Sequence, residues 1–261
     1  MARMRPGSST PNTSLVQVVL NPLEKWKTSL EVFGKARSLG MEVVVALDMR
    51  SGPGSYEAVK EHADIVIPFD NQTCWPEGGL NQVLEEAHRD WAFLVSDDEE
   101  PSPQLWDFAT KIPSLTNKGD PFIWRCRMLA PLPDWSALYK PLDTYQPRYF
   151  PRDGLRWGLG FDELPKSPFQ QANLDLVLWH YTLWSPRAYR EQKVKDHEEA
   201  WRRWWYLHPW EPSSRKAYLY EDFPEEFVPL GGWEKQRSTS SCPRDSTSLV
   251  TTGATGGAGS R

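Results

Sequence analysis

An apolar run, Trp91–Val95, passes straight into Ser96-Asp97-Asp98-Glu99-Glu100, which sets four carboxylates in a row at what reads as a strand exit. Adjacent negative charges repel one another unless solvent or a cation intervenes. Mg2+ and Mn2+ take oxygen ligands of this kind, usually one or two carboxylates completed by phosphate oxygens. A solvated acidic loop ahead of a helix at Pro103 accounts for the same residues, so the cluster alone leaves both readings open. Further along, Arg148, Arg152 and Arg156 alternate with Tyr149, Phe150 and Trp157 and place cations beside stacking faces. Exposed arginines on an amphipathic hairpin have the same spacing. Asp162 and Glu163 follow Gly158-Leu159-Gly160, a candidate lip of a cleft, although charge at a helix start is the plain alternative. His180 ends the apolar run Leu176–Trp179, where a satisfied core histidine is as natural as a metal ligand. Cys74 and Cys126 have no partner spacing, and no Gly-x-Gly-x-x-Gly or Walker A pattern occurs. Cysteine nucleophiles, nicotinamide binding and P-loop chemistry are therefore set aside.

The elements that must position these residues alternate in type. Leu15–Leu20 predicts a buried strand ending at Asn21-Pro22, and Leu23–Leu39 a helix stopped by Gly40. Glu42–Leu47 predicts a second strand, halted at Asp48. Tyr56–Ala63 predicts a short helix, Asp64–Pro68 a third strand, Gly79–His88 another helix and Trp91–Val95 a fourth strand. This alternation implies a mostly parallel sheet covered on both faces. In such sheets ligands bind beyond the carboxyl ends of the strands, where Asn21, Asp48, Asp70, Asp97 and Asp98 fall. The second half is more irregular. Strands are expected at Pro121–Met128 and Thr144–Phe150, a long mixed run at Leu174–Leu183, and a charged helix at Pro186–Tyr206.

Composition bounds the rest. The chain has 261 residues, net charge −5, 39% hydrophobic residues and 14 Trp. Basic residues gather toward the two ends, so the body is more acidic than the net figure, which argues against bulk attraction to nucleic acid or anionic lipid. Tryptophan supplies flat apolar faces useful in cores and against sugar rings alike. No run is long enough to span a membrane and no secretory leader is evident, so a reducing, cytoplasmic setting is the expectation. Residues 1–13 and 231–261, rich in Ser, Thr, Gly and Pro, are expected to be disordered tails. Between them one domain is expected, with a nucleotide-binding half over 14–110 and an acceptor half over 111–230.

The order of motifs sharpens this. Asn81–Leu105, NQVLEEAHRDWAFLVSDDEEPSPQL, resembles the stretch of family 2 glycosyltransferases of the GT-A fold in which an Asn-bearing helix leads to a strand and an Asp-x-Asp-Glu metal motif. Val43–Ser55 is similar to their second strand with its Asp-x-x-Ser-x-x-Gly turn (Asp48, Ser51, Gly54). Pro147–Glu163 resembles a later Pro-Arg-hydrophobic-Phe-Arg element closing on Val-His-Glu, and Leu178–Tyr181 a late His-Tyr followed by a Lys-bearing helix, here with Lys193. The resemblance covers residues 15–195 in order. Two departures stand out: Ser96 replaces the first Asp of the metal motif, and Asp162 replaces the His of the later one.

What the resemblance implies is an α/β, Rossmann-like GT-A enzyme that moves a sugar from a nucleoside-diphosphate sugar to an acceptor (protein, glycan, lipid or nucleic acid), with inversion. By resemblance, Asp48 contacts the nucleotide, with Asn21, Ser51, Asn81, Asp97, Arg148, Arg156 and Trp157 also on the nucleotide-sugar side. Asp98 holds Mn2+ or Mg2+, with Asp97 and His180 as helpers. Glu163 or Asp162 is the base. The rival is a non-catalytic carbohydrate-binding or scaffold protein derived from such an enzyme, which Ser96 and Asp162 favour.

Overall fold

A computed structural model of the chain describes residues 12–20, 27–52, 54–71, 77–115, 122–152, 170–204, 218–231 and 233. Among them the first half is the expected alternation: β1 (Thr13–Val19), α1 (Lys27–Ser38), β2 (Glu42–Asp48), α2 (Ser55–Lys60), β3 (Ile65–Phe69), α3 (Glu77–Glu86) and β4 (Trp91–Leu94). There follow β5 (Glu99–Pro101), α4 (Pro103–Leu115), β6 (Phe122–Leu129), β7 (Ala137–Tyr139), β8 (Thr144–Pro151), β9 (Gln170–His180), α5 (Arg187–Trp204) and β10 (Phe227–Pro229).

Eight strands form one sheet in the order β3-β2-β1-β4-β8-β6-β9-β5. β1 pairs in parallel with β2 and β4, β2 with β3, and β6 with β9, while β8 and β5 run antiparallel to their neighbours. The sheet is therefore mostly parallel and flanked by helices, the Rossmann-like GT-A layout that the sequence resemblance implies. Alternation along the strands builds two cores. Leu15 and Val19 of β1 and Val43, Val45 and Leu47 of β2 face α1, α2 and α4; Val16, Val18, Val44 and Ala46 face α3. The first core also takes in Cys126, Tyr149 and Leu178, so both halves of the chain share it.

The sheet cannot be flat. Leu94 to Glu99 reaches at most about 17 Å even fully extended. Four strand spacings between β4 and β5 would need about 19 Å, and the connection is a turn closed by Glu99 N–H donating to the Ser96 carbonyl. The second half of the sheet must curl back over the first. That curl carries β9 and its terminal His180 toward the β4 exit.

Three boundaries differ from expectation. β1 begins at Thr13, inside the stretch read as a tail, because the Thr13 hydroxyl is buried against the Tyr149 hydroxyl at 2.5 Å and the Asn12 carbonyl accepts from Trp91 N–H. At the other end Trp233 lies over the Arg127 guanidinium, 4.4 Å from its ring centroid. The acidic run is only partly a loop, since β5 lies within it. A second, two-stranded sheet pairs β7 with β10, which sequence periodicity did not reveal because each strand is three residues long. The tails outside 12–233 lie beyond the described residues.

Candidate functional site

The sheet's topological switch lies between β1 and β4, where the chain runs from β1 to β2 and β3 on one side and returns to β4 on the other. Gln17, the one polar side chain inside the apolar run of β1, fixes this point: its amide donates to the carbonyls of Val95 and Ser96, both at 3.0 Å. The exit turn is held further by Ser29 of α1, whose hydroxyl donates to the Asp97 carbonyl at 3.0 Å. Asp97 is buried, and its carboxylate accepts from Leu20 N–H at 2.9 Å, locking the end of β1 to the end of β4.

The carboxylates of the run have separate partners, which is how their repulsion is relieved. Glu99 is 1% exposed, accepts from Ser96 N–H at 2.7 Å and pairs with the Arg148 guanidinium at 2.6 Å. Glu100 accepts from the Tyr181 hydroxyl at 2.6 Å. Asp98 faces His180, with Nε2 3.3 Å from Oδ1, because β5 pairs with β9 and Tyr181 N–H donates to the Asp98 carbonyl at 2.7 Å. α5 brings Lys193 within electrostatic reach of Asp98 and Asp97, and its ammonium hydrogen-bonds Tyr218. Burial opposes ionisation of Asp98, but His180 and Lys193 outweigh it and hold the carboxyl well below the usual range. Burial likewise disfavours the His180 imidazolium, yet Asp98 beside it shifts the pKa upward.

Asp98 and His180 suit a hard divalent cation, as a carboxylate beside an imidazole whose buried Nδ1 has no hydrogen-bond partner among the described residues. No group of three or more His, Cys, Asp or Glu residues is assembled for a metal among the described residues. Diphosphate oxygens and water would have to complete the shell.

The structure sorts the other expected residues. Asp98 stands beside His180, and the Asp97 carboxylate is on Leu20 N–H. Asp48 and Ser51 sit at the end of β2. Asp48 is buried, caps the following turn through Arg50 N–H and holds the Arg50 side chain at 2.7 Å. The Ser51 hydroxyl is buried with no hydrogen-bond partner. Asn81 lies on α3, on the opposite face from α1 and α4. Arg148 of β8, expected to meet the nucleotide sugar, pairs with Glu99. Asn21, Arg156, Trp157, Asp162 and Glu163 lie outside the described residues. Sequence reasoning passed over Gln17 and Ser29, and gave Glu99 no role beyond its place in the acidic run. A glutamine in a strand's apolar run was the visible signal for the first, and nothing local marked Ser29.

No protein-family model and no curated protein matches the chain. Solved structures do. The mannosyltransferase PcManGT from Pyrobaculum calidifontis, in complex with GDP-Man and Mn2+, is 15% identical over 82% of this chain and 70% of that one, with a TM-score of 0.47. A fragment of S. aureus TarS is 16% identical over 70% of this chain, with a TM-score of 0.44, and this chain spans 64% of that fragment's length. The inositol-1-phosphate CTP transferase from T. maritima is 10% identical over 74% of this chain and 98% of that one, with a TM-score of 0.35.

Proposed function

We propose that this chain is a glycosyltransferase that moves a sugar from a nucleoside-diphosphate sugar to an acceptor hydroxyl, with a divalent cation and with inversion. The observation that carries the reading is the meeting of Asp97, Asp98, His180 and Lys193 at the carboxyl ends of the parallel strands, beside the β1–β4 switch. A Mn2+ or Mg2+ ion, when bound, neutralises charge on the leaving diphosphate.

The residues then have distinct tasks. Asp98 and His180 hold the cation, and Asp97 keeps the β1 exit in place through Leu20 N–H. Asp48, Ser51 and Asn21 serve the nucleoside, and Arg156 and Trp157 the diphosphate and sugar. Glu163, with Asp162 as its neighbour and alternative, takes the proton from the acceptor hydroxyl. The acceptor oxygen forms its bond to the sugar carbon as the bond to the diphosphate oxygen breaks on the opposite face, and the electron pair leaves with the nucleoside diphosphate.

A screen of UDP, GDP and TDP sugars for slow hydrolysis in the presence of Mn2+ tests the reading without knowledge of the acceptor. One donor should turn over, and Asp98→Asn should abolish the Mn2+-dependent part of its binding. Of Asp162→Asn and Glu163→Gln, one should lose roughly 10²–10⁴-fold in turnover while still binding donor. A wild-type protein that neither binds nor hydrolyses any sugar nucleotide overturns the reading and leaves the carbohydrate-binding or scaffold alternative.

A further inference from the structure

α1 and α4 cover the same face of the sheet, and a cavity of about 530 Å³ lies between them. That is within the ~300–1,000 Å³ range of small-molecule sites. Helical spacing puts Glu31, Val32 and Lys35 on one side of α1, and Trp106, Asp107 and Thr110 on one side of α4, and both sets line the cavity. Glu100 of β5 joins them there. Burial divides the lining into a floor and a rim: Val32 and Trp106 are buried, whereas Glu31, Lys35 and Asp107 are exposed.

Trp106 gives the floor its chemistry. It is 7% exposed and set edge to face on the buried Phe93, with ring centroids 5.4 Å apart, so the core fixes its position. Its indole N–H makes no hydrogen bond among the described residues. A buried indole usually finds an acceptor. Here that acceptor has to come from whatever fills the cavity.

The rim selects the occupant. Three carboxylates, Glu31, Glu100 and Asp107, repel an incoming phosphate, so a second nucleotide does not fit. A bare cation gains little either, since Lys35 stands on the rim and Lys111 already holds Asp107 at 2.5 Å. An apolar ligand would take water from these groups and return no hydrogen bond. A sugar hydroxyl both donates and accepts. It can accept from the Trp106 indole or the Lys35 ammonium while its neighbour donates to a carboxylate of the rim.

We propose that the α1–α4 cavity binds a neutral saccharide, at a site separate from the strand ends and needing neither nucleotide nor metal. This goes beyond the transfer reaction, because a glycan is held here whether or not a sugar is transferred.

Magnetic resonance of the full chain with isotope-labelled tryptophan, in EDTA, tests this. The Trp106 indole signal is the one missing from Trp106→Phe. The probes are maltose, cellobiose, mannobiose and chitobiose, with a glucose phosphate and spermidine as charged counterparts. At least one disaccharide should move the Trp106 signal to saturation, at a concentration about tenfold or more below that needed by either charged probe. Thr110→Phe, which fills the cavity, should weaken that disaccharide about tenfold or more, and so should Glu31→Ala. Sugar-nucleotide hydrolysis should be unchanged in both variants, so this inference and the proposed function fail separately. No response to any disaccharide, a charged probe that matches the best of them, or a disaccharide affinity that Thr110→Phe leaves intact overturns the proposal. Where Trp106→Phe does not fold, calorimetric titration of the same disaccharides into the wild type and Thr110→Phe gives the same decision.

Discussion

Glu99 and Arg148 show how a buried residue pair can shape a site. Their side chains are 1% and 11% exposed, and Glu99 also accepts from Ser96 N–H, so the pair shapes the turn that presents Asp98. Removing one partner of a buried pair leaves an uncompensated charge, at a cost of about 3–5 kcal/mol, whereas removing both is often near neutral. Arg148→Met should therefore destabilise the chain by about 3 kcal/mol in urea unfolding. The double variant Glu99→Gln/Arg148→Met should recover most of that loss, and a purely additive double variant would show that the two side chains are not coupled.

His197 on α5 titrates in the opposite sense to His180. Burial, with Lys193 nearby, pushes its pKa down from 6.5 to about 3. Between those values the unfolded chain binds a proton that the folded chain does not, so stability rises with pH there and falls on acidification. The slope is at most about 1.4 kcal/mol per pH unit. Melting the wild type and His197→Asn at pH 7.5 and pH 5 should show the larger acid loss in the wild type. Equal losses would mean that the imidazole is protonated in the folded state.

Among the elements, α3 depends on a glycine for its seat. A Cβ at Gly79 would stand 2.9 Å from a Val18 methyl and 3.1 Å from the Ala46 Cβ, both buried. Alanine is the better helix former by about 1 kcal/mol. Overpacking a closed core costs about 1–3 kcal/mol, which exceeds that gain. Gly79→Ala should lower the unfolding midpoint, and a raised midpoint would show that α3 can lift off the sheet at little cost. The small β7–β10 sheet works differently. Trp135 packs edge to face on Trp179, Tyr181 and Trp184, with ring centroids 5.0–6.4 Å apart, and Tyr181 lies tilted on Trp184 at 4.7 Å. At these positions the tryptophans serve a core.

For the whole molecule, the site joins β1 and β4 of the first half to β5, β9 and α5 of the second, and one core runs beneath both. Anything that binds the folded site stabilises the entire domain by mass action, about 2.7 kcal/mol at a hundredfold excess over Kd. A single cooperative melting transition that moves upward with the nucleotide identified by titration is the expected result. Two transitions, of which only one responds, would mean that the halves unfold separately.

The sequence by itself determined a good deal at this scale. Near-continuous apolar runs such as Leu15–Leu20 and Glu42–Leu47, punctuated by Gly40 and by acidic strand ends, specify parallel strands and place Asp48, Asp97 and Asp98 at their carboxyl ends, because apolar runs and chain-breaking residues are local properties. The late His-Tyr was legible too, as a motif. What only the tertiary structure decided is non-local. His180 meets Asp98 because β5 pairs with the last residues of β9, a contact 81 residues apart for the Tyr181–Glu100 bond beside it. Arg148 turns from a presumed ligand group into the partner of Glu99, and Asn12, Thr13 and Trp233 leave the presumed tails, because each is drawn in by a distant side chain that no window of sequence contains. The curl of the sheet brings β5 and the end of β9 to the β4 exit, and it follows from the short β4–β5 connection, whose geometric consequence appears only once the strand order is known.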